Sequence, residues 1–109
     1  MQIQIREHNV RIAPDQRAKM QRRLSLALKN YADEIDLVSV YIDDTNRGFG
    51  AGEKHCRVIV KLPNEPEMYA NASHRQMDTV IELAAEHIRQ VVQRQFRRRE
   101  ILAAAAPAA

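Results

Sequence analysis

The sequence predicts an α+β fold, a βαβββα two-layer sandwich in which two helices pack on one face of a four-stranded mixed sheet. Three observations predict it. Four segments carry apolar residues at every second position, and two longer ones carry them at spacings of three and four; 109 residues suffice for one core and are too few for two. One apolar face per strand and one apolar stripe per helix are buried most simply when both helices lie on the same side of the sheet. With 45% hydrophobic and 28% charged residues, the composition excludes disorder throughout.

Residues 2–6 alternate, with Ile3 and Ile5 on one side, and form the first strand. Ala13-Pro14-Asp15 opens a helix, because proline is pre-shaped for a first turn and an early carboxylate meets the positive end of the helix dipole. That helix is predicted to run to about Tyr31, with Met20, Leu24, Ala27, Leu28 and Tyr31 as its stripe. Residues 35–44 alternate again, Val38, Val40 and Ile42 on one face and Leu37, Ser39 and Tyr41 on the other. Residues 45–53, TNRGFGAGE, hold all three glycines and predict a flexible hairpin turn. In residues 54–62, Cys56, Val58, Val60 and Leu62 face one way and His55, Arg57, Ile59 and Lys61 the other.

After a turn at 63–66, Met68, Ala70 and Ala72 mark a short fourth strand. Ser73 is the predicted N-cap of a second helix, whose Met77, Val80, Ile81, Ala84, Ile88, Val91 and Val92 recur at helical spacing. If the first two strands are neighbours, a right-handed parallel crossover joins them and the remaining strands form an antiparallel meander. Residues 1–100 are the predicted domain, and 101–109 an alanine-rich tail or frayed helix end.

Charge is unevenly distributed. Residues 1–30 hold seven basic and two acidic side chains, residues 31–53 one basic and six acidic, and residues 93–109 four basic and one acidic. On the first helix Lys19, Arg22 and Arg23 adjoin one another outside the stripe, with Lys29 on the outer side. On the second, His87, Arg94 and Arg98 share a flank that Arg97 and Arg99 widen. Two packed helices so charged could present a joint cationic ridge to the phosphates of a nucleic acid. Long basic side chains solvating two exposed faces account for the same pattern, and charge alone does not decide between the two.

Enzyme chemistry has little support. The four histidines lack paired metal-ligand spacing, His55 and Cys56 point to opposite faces of a strand, and Cys56 sits in the inward register. Asp43 and Asp44 are adjacent in a strand, which sends them to opposite sides, and no phosphate-cradling glycine motif precedes a helix. Neither a cofactor nor a metal nor a small-molecule substrate is expected. Tyr41 and Tyr69 fall on the open sheet face, where strand preference accounts for them, and no strand alternates aromatic with basic residues. A lone cysteine and the lack of any apolar run of about 18 residues predict a reducing, cytoplasmic setting and no membrane partner.

The residues taken in order resemble the ribosome hibernation-promoting factor and ribosome-associated inhibitor family, also called the sigma-54 modulation family. The similarity spans about residues 1–99: MQIQI and Ile12-Ala13-Pro14 at the start, Arg17, Arg23, Leu24 and Lys29 on the first helix, DDTNRGFGAGEKHCRVIVKLP through the hairpin, and MYANASHRQMDTVIELA into the second helix. Asp78 stands where the family commonly has tyrosine, and His87 where it often has lysine. The resemblance implies a fold similar to double-stranded RNA-binding domains and a short form without the C-terminal domain that long members use to pair ribosomes. It implies binding to the small ribosomal subunit, its 16S rRNA and ribosomal proteins, where messenger and transfer RNA would otherwise sit. Arg17, Lys19, Arg22, Arg23, Lys29, His87, Arg94, Arg97 and Arg98 are the expected RNA-facing residues. The family's older name keeps open an alternative, a protein-interaction module that modulates a sigma factor through the acidic stretch 33–53.

Overall fold

The computed structural model describes residues 1–44 and 52–105, so most of the predicted glycine-rich turn and the last four residues lie outside the described residues. Strand β1 (Gln2–His8) pairs in parallel with β2 (Leu37–Asp44). Strands β3 (Lys54–Lys61) and β4 (Met68–His74) continue the sheet antiparallel, in the spatial order β1-β2-β3-β4. Helix α1 (Pro14–Ala27) joins β1 to β2, and α2 (Met77–Ala105) follows β4. The predicted βαβββα architecture is the observed one.

Register explains why both helices share a face. Val38 stands opposite Val60, Val40 opposite Val58 and Ile42 opposite Cys56; Met68, Ala70 and Ala72 extend these rows onto β4. All nine are buried, together with Met20, Leu24 and Leu28 from the first helical segment and Val80, Ile81, Ala84, Ile88 and Val92 from α2. Fully burying one such aliphatic side chain stabilises the fold by about 1.5–3 kcal/mol. Among the described residues no polar or charged side chain is buried, so the core holds the layers together without specific hydrogen bonds. Ile3 and Ile5 are only half-buried, as befits an edge strand.

Local chemistry sets the helix ends. Pro14 occupies the first helical position, and the Gln16 side-chain oxygen accepts the Ala13 amide at 3.0 Å, which satisfies a donor that Ala13 itself cannot cap. The predicted run to Tyr31 is shortened: α1 ends at Ala27, and Lys29–Tyr31 form a 3-10 turn. Tightening that last turn brings the Tyr31 ring onto Phe96 of α2, with centroids 4.5 Å apart.

The start of α2 also differs from the prediction. Strand β4 runs on to His74, because Ser73 pairs across the ladder with His55 and its hydroxyl lies 2.6 Å from the His55 Nδ1. Gln76 leads into the helix instead, its amide donating to His74 Nδ1 at 3.0 Å and its carbonyl accepting the Val80 amide at 3.1 Å. At the other end, α2 continues five residues into the predicted tail, leaving Ile101 and Leu102 exposed.

Truncating the core is the direct test of this packing. Ile88→Ala should destabilise the protein by about 2–5 kcal/mol in urea unfolding, whereas Leu26→Ala, at an exposed position, should change it by less than about 0.5 kcal/mol.

Candidate nucleic-acid interface

Lys19 and Arg23 lie one turn apart on α1, and Asp78 and Glu82 one turn apart on α2. Lys19 Nζ is 3.7 Å from Asp78 Oδ1 and 3.3 Å from Glu82 Oε1; Arg23 reaches the same Glu82 oxygen at 3.3 Å. These bridges from the middle of α1 to the first turns of α2, and the Tyr31–Phe96 stack beyond the end of α1, show that the helices run side by side in the same direction. The basic part of α1 therefore lies against the acidic first turns of α2. Arg94, Arg97 and Arg98 come 12 to 16 residues after Glu82, about 18–24 Å farther along the axis at 1.5 Å per residue.

The expected joint ridge is thus divided by an acidic band. Within that band Glu86 binds Arg89, with Arg89 Nε 3.0 Å from Glu86 Oε2. The hydrogen bonds from Arg89 hold the Glu86 carboxyl below the usual carboxylate range and push the guanidinium up in turn. Solvent-exposed pairs of this kind add little to stability. Their consequence is geometric, since a cation already facing a carboxylate must leave it to meet a phosphate.

The remaining candidates divide clearly. Arg17 pairs with Glu7 at the end of β1. His87 is half-buried and its Nδ1 donates to the Asn71 carbonyl at 2.8 Å, so it clasps α2 to the edge strand and carries the Nδ1 proton. Arg22, Lys29, Arg94, Arg97 and Arg98 are exposed and have no carboxylate within ion-pair reach among the described residues. Arg99, beside them, lies over the Phe96 ring at 5.0 Å and 3.5 Å from Glu65. The charge pairing between helices had one sequence signal, the matching four-residue spacing of Lys19 and Arg23 with Asp78 and Glu82.

Over residues 3–100 the chain matches the family described as sigma 54 modulation protein / S30EA ribosomal protein. The chain belongs to that family. Among solved structures, a ribosomal subunit interface protein from Coxiella burnetii is similar with a TM-score of 0.72 at 22% identity, covering 87% of this chain and 98% of that one. The N-terminal domain of Protein Y from Thermus thermophilus is similar with a TM-score of 0.65 at 14% identity, covering 85% and 93%. At such identities both show the shared fold. No curated protein matches the chain.

As a member of the S30EA family it is a binding protein and not an enzyme. Among the described residues no three His, Cys, Asp or Glu side chains group as a metal site would require, and no helix is long and apolar enough to cross a membrane. Burial pushes the Cys56 thiol up to about 12 from 9.0, so it stays protonated and inert at neutral pH. The unfolded chain loses that proton near pH 9, so the stability this burial contributes is complete below pH 9 and declines as pH rises toward 12. Cys56 should accordingly resist iodoacetamide in native protein at pH 8 and react fully in guanidinium; rapid native labelling would show that the thiol is not sealed in the core.

Proposed function

We propose that this protein is a ribosome-associated hibernation factor that docks on the small ribosomal subunit and idles translation by occupying the place of messenger and transfer RNA. The observation that carries the reading is the match to the S30EA ribosomal protein family over residues 3–100. That one structural neighbour is named a ribosomal subunit interface protein supports it further. Such a role places its work in the cytoplasm.

On this reading the contact to 16S rRNA is made from the helix layer. Arg22, Lys29, Arg94, Arg97 and Arg98 are the first cations available, because no ion pair has to break before they meet a phosphate. Arg23 joins by exchanging Glu82 for phosphate, Lys19 by exchanging both Glu82 and Asp78, and Arg17 by leaving Glu7. His87 contributes by holding α2 on β4, with its Nε2 the atom left for RNA.

Sedimentation on sucrose gradients tests the proposal. The protein should travel with small subunits and whole ribosomes at low salt, and its affinity should fall roughly a hundredfold or more between 50 and 200 mM salt. Folded protein that stays at the top of the gradient would reject the reading. The combined change Arg22→Glu, Arg94→Glu and Arg98→Glu should weaken ribosome binding at least about tenfold without lowering the melting temperature. Glu82→Gln, which releases Arg23 and leaves Lys19 only its longer bridge to Asp78, should tighten it by a few fold; unchanged affinity would remove Arg23 from the footprint.

The alternative, modulation of a sigma factor, draws on the family description and on Asp33, Glu34 and Asp36, all exposed beyond the end of α1. Capture of a sigma factor that persists after nuclease treatment would favour it over ribosome docking.

A further inference from the structure

The sheet face turned away from the helices carries the register that the core leaves over. Read across from β1 to β4, Arg6 stands beside Tyr41, Tyr41 beside Arg57 and Arg57 beside Asn71. The next row is Gln4, Ser39, Ile59 and Tyr69. Tyr41 is 43% and Tyr69 55% exposed, although both are large rings on a regular sheet, and among the described residues no element packs over them. The Arg57 guanidinium lies over the Tyr69 ring, 5.0 Å from its centre, and Arg6 is exposed with no carboxylate partner among the described residues.

Strand and residue spacings separate Tyr41 from Tyr69 by about 12 Å, with Arg57 between them. Two aromatic faces with cations between and beside them suit a chain of unpaired bases, whose rings stack on tyrosine while their phosphates meet arginine. A duplex hides its base faces and cannot use the rings. Gln4, Ser39 and Asn71 supply hydroxyl and amide groups around them for sugar hydroxyls and base edges. Of the acids at this face among the described residues, Asp43 is engaged by His8 Nδ1 at 3.3 Å and Glu67 by Lys61 at 3.3 Å.

We propose that the open face of the sheet, centred on Tyr41, Arg57 and Tyr69, is a stacking platform for a segment of single-stranded RNA, distinct from the helix surface. The choice of RNA as the strand rests on the ribosome reading; the stacking geometry does not.

Fluorescence anisotropy with a short labelled oligoriboadenylate, alone or annealed to oligouridylate, tests it on the full chain. Wild-type protein should bind the single strand and prefer it to the duplex. Tyr41→Ala with Tyr69→Ala should weaken that binding at least about thirtyfold, while Tyr41→Phe with Tyr69→Phe stays within about threefold. Arg57→Gln should weaken it about threefold to tenfold, and serves as a second test should the double alanine variant fold poorly. The chain has no tryptophan, so quenching of tyrosine emission on binding reports the contact directly.

Equal affinity of the double alanine variant and wild type, preference for the duplex, or no binding by folded wild type would overturn the platform. Equal binding of the deoxy strand would overturn its assignment to RNA. Arg94→Glu with Arg98→Glu should alter oligonucleotide binding by less than about threefold while reducing cosedimentation. Ribosome docking can therefore fail with the platform intact, and the platform can fail with docking intact.

Discussion

One-sided burial governs this protein. From Val38 to Ile42, from Cys56 to Val60 and from Met68 to Ala72 every inward position is apolar and lies on the same face of the sheet, and among the described residues no polar side chain is buried there. Both helices must therefore cover that face, since an uncovered one would leave a contiguous valine and isoleucine surface in water. Two surfaces of different chemistry result. The helix layer displays the long basic side chains that α1 and α2 cannot bury, and the opposite face displays short polar groups with two tyrosines and two arginines set among them.

The direction in which the helices run then decides what each cation can do. Side by side and pointing the same way, they set Lys19 and Arg23 against Asp78 and Glu82 and leave Arg94, Arg97 and Arg98 beyond the reach of those carboxylates. The same acidic turns favour the start of α2 through its dipole and restrain the cations of its neighbour. On the proposed reading, the far end of α2 and the outer side of α1 would be the first parts of the helix layer to meet the RNA backbone, since their cations face no carboxylate among the described residues. The cations in the middle of the layer would join only by exchanging their carboxylate partners.

Most of the fold was legible because it follows from local periodicity. Alternation places Val38, Val40 and Ile42 on one face whatever their partners, and the three-and-four spacing from Met20 to Leu28 requires a helix with a buried stripe. The misjudged boundaries are those where a distant residue wins over a local preference. Ser73 is a good cap by type but is taken by His55 across the ladder, and the last turn of α1 tightens to meet Phe96.

The sequence by itself determined the class of fold, the number and order of its elements, and the presence of two basic helices, since each depends on residues a few positions apart. Only the tertiary structure decided which of those cations are spoken for, because Lys19 and Glu82 are 63 positions apart and meet through helix packing alone. It likewise assembled the arginine and tyrosine rows of the open face. No single strand alternates aromatic with basic residues; the alternation runs at right angles to the chain, through Arg6, Tyr41 and Arg57, where only strand register can create it.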